Sequence, residues 1–160
     1  MLKLTKKADY GLIAMRHLTA VRPRSVSTKD LAESYGLPVP VLSKVLQTLA
    51  RSGFLTSEQG TNGGYRLSRD PQQITALDVI RAIDGPIFLT SCFTDAGGCE
   101  HHEKCSIRDP LRRIHEGIIE LLDRVTMLQL ASDTEASPPA GPRTVPNLMS
   151  GVTLPILNRN

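Results

Sequence analysis

The sequence contains no tryptophan and only three tyrosines and three phenylalanines in 160 residues, so any core must be mainly aliphatic. It also lacks long apolar runs, and a membrane-spanning helix needs about 20 apolar residues. The first lysines are not followed by the apolar core of a signal peptide, because Asp9, Arg16 and His17 interrupt the stretch. These absences predict a cytoplasmic protein without a membrane segment.

Cysteine is scarce, but its placement is informative. Cys92, Cys99 and Cys105 lie within fourteen residues, an odd and clustered set that does not suit a disulfide framework. Their spacing is wider than the gap of about two to four residues found in zinc knuckles. Gly97 and Gly98 let the loop fold around a bulkier group. Three thiolates on such a loop favour an iron–sulfur cluster that takes a fourth ligand from elsewhere.

Three other interpretations of the cysteines are weaker. Three unrelated buried thiols would not be expected to cluster so tightly. A cluster-free thiol redox switch stays an alternative. An enzyme with a Cys/His nucleophile is disfavoured, because the loop has no pocket-forming apolar sequence around it. We therefore predict that the chain is not an enzyme.

Charge is unevenly distributed along the chain. Residues 1–70 carry eleven Lys and Arg against five Asp and Glu, whereas the remainder carries eight against eleven. A basic N-terminal half is what a phosphate-binding surface requires.

Helical patterns dominate this basic half. Apolar spacing predicts a first helix over 6–21, and Ser27 and Gly36 mark the start and end of a second. A third helix follows, ended by Gly53, with an apolar face (Val41, Leu42, Val45, Leu46 and Leu49) and a polar face (Ser43, Lys44, Gln47 and Arg51). Two short helices joined by a tight turn, the second with such a polar face, indicate a helix-turn-helix.

A predicted β-hairpin follows directly, with strands over 54–57 and 65–67 around a glycine-rich turn. A hairpin in this position is a wing. In a complex with double-stranded DNA we expect Ser43, Lys44 and Gln47 to reach base edges and Arg51 to take a phosphate. Further contacts are expected from the wing, through Thr61, Asn62 and Arg66, and from Lys6 and Lys7.

The rest of the chain divides into four parts. A capping box at 75–78 opens a short helix that ends at Gly85 and completes a winged helix-turn-helix domain over 1–85. The cysteine loop covers 86–108, and a long helix covers 109–131, with Asp109 as its cap. Its apolar seam is Leu111, Ile114, Ile118, Leu121, Val125 and Leu128. The proline-rich end, 132–160, is predicted to be disordered.

The seam at 109–131 predicts a homodimer, because recognition of a pseudo-palindromic operator requires two-fold symmetry. Packing of this helix onto its own domain is the alternative. The predicted fold class is mainly α, a winged helix-turn-helix domain with a small β-hairpin wing and a long C-terminal dimerisation helix.

Several motifs resemble the winged-helix iron–sulfur transcription regulators that include IscR and NsrR. They are LTKKADY at 4–10, LAE at 31–33, VLSKV at 41–45, GGYRL at 63–67 and the triple-cysteine loop. The resemblance covers roughly 1–130. The run GPIFLT at 85–90 is most similar to the branch that regulates the SUF iron–sulfur assembly operon.

The resemblance implies a homodimeric regulator, expected to be a repressor, whose cluster is bound by Cys92, Cys99 and Cys105. A 4Fe–4S cluster is favoured over 2Fe–2S. IscR-like members place a fourth ligand, histidine, where this chain has Arg108. NsrR-like members use an aspartate from the other subunit, and this position corresponds to Asp9.

Two open points accompany the resemblance. His101 and His102 compete with Asp9 as the fourth ligand, because they lie within the loop itself. In the wing, Gln59 stands where many relatives carry arginine, which puts one DNA contact in doubt. The same fold can also serve a sensor of nitric oxide or of iron availability.

Overall fold

The computed structural model describes residues 4–60, 63–90, 93 and 104–132. Helices dominate these ranges, and the strands form one two-stranded antiparallel sheet. In chain order the elements are α1 (Lys6–Val21), α2 (Thr28–Tyr35), α3 (Val39–Arg51), β1 (Leu55–Glu58), β2 (Gly64–Leu67), a 3-10 helix (Pro71–Gln73), α4 (Ala76–Asp84), α5 (Arg108–Arg124) and α6 (Met127–Ser132). This architecture confirms the predicted fold class of a mainly helical chain with a small β-hairpin. The predicted disordered tail lies outside the described residues, apart from Ser132.

Local capping signals set the helix boundaries. Ser27 Oγ accepts a hydrogen bond from the Asp30 backbone N–H at 3.1 Å and starts α2. Gly36 ends the same helix in the left-handed conformation, with φ of 62°. At α4, the side chains of Thr75 and Asp78 bond each other's backbone N–H groups, which is the predicted capping box.

The core is aliphatic, as the shortage of aromatic residues requires. Helices α1, α3 and α4 pack against one another, and α6 packs onto α1. The largest side chains with no more than 1% exposure include Met15, Leu18, Leu31, Leu42, Leu46, Leu49, Ile74, Leu77, Ile80 and Met127. Gly11 permits close packing of α1 on α4, since a Cβ atom there would lie 2.1 Å from Ile83 Cδ1. This core holds α3 with one face buried and the other free.

The helix predicted over 109–131 is divided into two helices. Helix α5 ends at Arg124, Val125 is extended with ψ of 109°, and α6 begins at Met127. The Met127 N–H donates to Ile74 O, and the Ala76 N–H donates to Val125 O, each at 2.8 Å. Full burial of Met127 together with this backbone pairing outweighs continuation of the helix.

The start of α5 also differs from the prediction. The helix begins at Arg108, with Ile107 at the cap position, so Asp109 is not its N-cap. Asp109 lies in the first turn and accepts a hydrogen bond from Arg112 at 3.0 Å. An acidic side chain in this turn is favourable because it opposes the positive end of the helix dipole.

Candidate nucleic-acid interface and cysteine segment

The polar face of α3 is presented as the sequence predicts. Leu42, Val45, Leu46 and Leu49 are buried, whereas Lys44, Gln47 and Arg51 are exposed and Ser43 is half-buried. Gln47 Nε2 lies 3.5 Å from Ser43 Oγ, and Arg51 Nε donates to the Gln47 carbonyl at 3.3 Å. Ser43, Gln47 and Arg51 therefore form one continuous row, and Lys44 is exposed beside it.

The hairpin lies beside this row and is joined to the helical domain. Strands β1 and β2 pair with Leu55 opposite Leu67. Val26 pairs with Tyr65 through two backbone hydrogen bonds of 3.0 and 2.9 Å, which attach the hairpin to the chain before α2. A groove of about 380 Å³ separates α3 from the hairpin and is lined by Gln47, Ala50, Arg51, Ser57 and Tyr65. The helix and hairpin thus form one surface.

The predicted wing residues have different environments. Arg66 donates a hydrogen bond to Glu58 across the hairpin. Hydrogen bonds from Arg66 and Ser25 hold the pKa of the Glu58 carboxyl below its ordinary value. Arg66 therefore already has an anionic partner within the protein. Gln59 is exposed, while Thr61 and Asn62 lie outside the described residues.

Gly64 has a structural role that the sequence pattern did not reveal. The glycines of this segment predict a flexible turn, but Gly64 begins β2, and a Cβ atom there would lie 2.3 Å from Val26 O. Glycine is required because two backbone segments approach closely. One sequence signal for this role was available, because Gly64 stands directly before the predicted strand at 65–67.

Gly64→Ala is expected to lower the free energy of unfolding by about 2–3 kcal/mol, because overpacking against a fixed backbone carbonyl cannot be relieved by side-chain rotation. Urea unfolding of the variant measures this loss. Ser57→Ala, at an exposed position of the same hairpin, is the matched control and should unfold like the unmodified chain. Equal midpoints for all three proteins would contradict the close approach of Gly64 to Val26.

Two described residues join the cysteine segment to α5. Cys105 is half-buried, forms no disulfide and lies three residues before the helix. The ring of Phe93, the residue after Cys92, lies 5.4 Å from the ring of His115. His115 is on α5, about 10 Å along the axis from the helix start at a rise of 1.5 Å per residue. Both ends of the segment therefore approach the same half of α5.

His115 is a second feature that the sequence pattern did not single out. Its ring stacks on Phe88 at a centroid distance of 6.4 Å, in addition to its contact with Phe93. It also lines a groove of about 490 Å³ between α4 and α5. The pairing joins residues far apart in sequence, so local spacing carries no signal for it.

Asp9 is exposed in the first turn of α1. Thr5, which caps this helix, donates through its hydroxyl to Asp84 at 2.7 Å. Because Asp84 is the last residue of α4, the N-terminal end of α1 lies where the chain enters the cysteine segment.

Cys92, Cys99, His101 and His102 lie outside the described residues. Within the described part, no three His, Cys, Asp or Glu side chains form a group suited to a metal ion.

Helix α5 exposes an apolar face. Ile107, Ile114 and Leu121, at intervals of seven residues, are 55%, 53% and 62% exposed. Gly117 lies between the last two, and a Cβ atom there would meet nothing within 4 Å. The other residues of the predicted seam (Leu111, Ile118, Val125 and Leu128) are half-buried. None of the helices in the described ranges has the length and apolar character required to span a bilayer.

Comparison with known proteins yields matches over most of the chain. A family model, Rrf2, described as an iron-dependent transcriptional regulator, matches residues 4–133. The protein aau3 of Rhizobium meliloti (strain 1021) is 29% identical over 128 residues, which cover 79% of this chain and 82% of that protein.

Two solved structures show similar folds. CymR (YrzC), the global cysteine regulator of B. subtilis, has a TM-score of 0.69 and 32% identity, covering 82% of this chain and 98% of that one. IscR of T. potens has a TM-score of 0.68 and 29% identity, covering 88% and 94%.

Proposed function

Because the chain belongs to the Rrf2 family of transcriptional regulators, we propose that it is a homodimeric repressor that senses an iron–sulfur cluster and controls genes of SUF-type cluster assembly. Cys92, Cys99 and Cys105 bind the cluster, and Asp9 of the other subunit supplies the fourth ligand. A 4Fe–4S cluster is favoured over 2Fe–2S. The protein acts in the cytoplasm on double-stranded DNA.

The observation that carries the cluster proposal is the donor set and its attachment. Every cysteine of the chain lies between 92 and 105, and thiolate is the ligand that iron–sulfur clusters take. The described ends of this segment approach α5, through Phe93 at His115 and through Cys105 before the first helical turn. A segment held at both ends can enclose a compact group, so these residues fit a cluster.

Helix α5 is the element through which such a site can influence DNA binding. When bound, the cluster supplies a centre that oxidation or iron loss can alter. Cys105 lies three residues before the helix whose exposed apolar face forms the proposed dimer interface. A displacement of Cys105 therefore changes how two copies of α5 meet. That in turn changes the spacing of the two α3 helices, and an effect of this kind needs only about 1–3 kcal/mol of coupling.

DNA binding is supported by the row of polar side chains on α3 and by the adjoining hairpin. In helix-turn-helix proteins the second helix enters the major groove, and side chains such as lysine and glutamine reach base edges there. Lys44, Gln47 and Arg51 are exposed, which supports the proposal that Lys44 and Gln47 reach base edges and that Arg51 contacts a phosphate. The wing residues Gln59, Thr61, Asn62 and Arg66 are proposed to contact the backbone or the minor groove.

A cluster-free thiol regulator is the second candidate. It is favoured by the likeness to CymR, whose name describes a cysteine regulator and whose sequence is 32% identical to this one. Here the three thiols themselves would respond to oxidation. A sensor of nitric oxide or iron availability is a third possibility, distinguished by its target promoters.

One preparation tests these alternatives. The chain is purified without oxygen, its iron, sulfide and visible absorbance are measured, and its binding to duplex DNA is titrated at several salt concentrations. We expect a coloured protein. In a plot of log affinity against log salt concentration, we expect a slope of about −0.9 for each phosphate contacted. A colourless protein that binds DNA would support the thiol regulator. A protein with no salt-dependent DNA binding would contradict both.

A further inference from the structure

Helix α3 begins with an exposed apolar surface. Pro38, Val39 and Pro40 are all exposed, and Val39 retains 44% of its accessible surface. Pro38 occupies the N-cap position and makes no side-chain capping hydrogen bond. The exposed side chains at this end of the helix are therefore apolar, whereas a polar residue is usual at the N-cap.

This apolar surface continues the row proposed to contact bases. Val39 precedes Ser43 by four residues and Gln47 by eight, and Pro40 precedes Lys44 by four. Residues four apart lie one above the other on a helix, so these side chains share one face. Val39 also precedes the buried Leu42 and Leu46 by three and seven residues, so it lies at the boundary between the core-facing side and the exposed row. With 44% of its surface accessible, Val39 has apolar surface that packing within its own domain does not cover.

The chemistry of the major groove identifies what such a residue can recognise. Residues at the N-terminal end of a recognition helix contact base edges. Those edges carry hydrogen-bonding groups and one apolar group, the C5-methyl of thymine. We propose that Val39 contacts a thymine methyl and makes thymine a required base in each half-site. This inference rests on the proposed entry of α3 into the major groove.

Replacement of thymine by deoxyuridine tests the contact, because it removes only the methyl group. A duplex is first selected from a random-sequence library with the anaerobically purified full chain. Each thymine of that duplex is then replaced singly, and affinity is measured by fluorescence anisotropy. We expect one position per half-site at which deoxyuridine weakens binding about fourfold, the value for losing one buried methyl group.

Variants at Val39 connect this effect to the side chain. Val39→Ser removes both methyl groups and leaves a hydroxyl, so it should remove the difference between thymine and deoxyuridine. Val39→Ile keeps the apolar surface and should retain that difference. Because Val39 is exposed, both variants should melt like the unmodified chain, which circular dichroism verifies.

The outcomes separate this inference from the proposed function. If the chain binds DNA but no thymine position responds, or if Val39→Ser keeps the same response, the methyl contact is overturned and DNA binding stands. If no duplex is selected and no salt-dependent binding occurs, DNA binding itself is contradicted.

Discussion

Cys105→Ser is expected to remove most of the visible absorbance of the anaerobically reconstituted protein. Serine leaves two thiolates, and a hydroxyl is a poor ligand for iron that prefers sulfur. Loss of even a supporting partner of a metal ligand weakens binding by roughly 10- to 100-fold, and loss of the ligand itself should exceed this. Absorbance and iron content after desalting measure the effect. Full retention of iron would show that Cys105 binds no cluster.

Asp9→Ala tests the proposed fourth ligand, and its effect on the cluster is expected to be smaller than that of Cys105→Ser. Three thiolates remain in this variant, so we expect the cluster to assemble but to be lost faster when a chelator is added. Asp30→Ala is the matched control, because Asp30 is an exposed acid in the first turn of another helix. Identical lifetimes in the two variants would exclude Asp9 and transfer the prediction to His101 and His102.

Elements governed by local signals were predictable from the sequence. The bounds of α1 agree with the prediction at both ends, and Ser27, Gly36 and Thr75 have the capping roles that their positions indicate. These features depend on neighbouring residues within one helical turn. The polar row of α3 was predictable for the same reason, since helical periodicity alone separates its two faces.

Features decided by tertiary contact were not predictable. The break after Arg124 depends on burial of Met127 and on pairing with Ile74, more than fifty residues earlier. The contact of His115 with Phe88, like the approach of Gly64 to Val26, joins segments distant in the sequence. Arg66, which we propose as a DNA contact, also donates to Glu58 across the hairpin. Helical or strand periodicity alone gives no signal for any of these contacts.

The division of the seam sharpens the dimer proposal. The last residue of the predicted seam, Leu128, lies on α6, which packs onto α1 within the subunit. The exposed seam residues are Ile114 and Leu121 on α5, and Ile107 at the cap position continues this exposed face. Gly117 leaves space between Ile114 and Leu121 for close approach of a second helix. Packing on its own domain therefore accounts for α6, and we propose dimerisation only for the exposed face of α5.

Ile114→Glu combined with Leu121→Glu is expected to convert the protein to a monomer. Both positions are exposed within one chain, so the fold should persist, whereas a dimer would have to bury two unpaired carboxylates per subunit. Linked binding at two half-sites can exceed the single-site affinity by about 10²–10⁴, and we expect a DNA affinity loss of that order. Sedimentation and anisotropy measure the two effects.

Ala20→Glu is the control for the dimer variant, since it places the same carboxylate at an exposed position of α1. It should remain dimeric and bind DNA normally. If the α5 variant also stays dimeric, two copies of the chain meet elsewhere. If it becomes monomeric yet binds DNA with unchanged affinity, recognition does not depend on two linked half-sites. Both expected effects together would show that the exposed face of α5 holds two copies of the chain together and that tight DNA binding depends on this pairing.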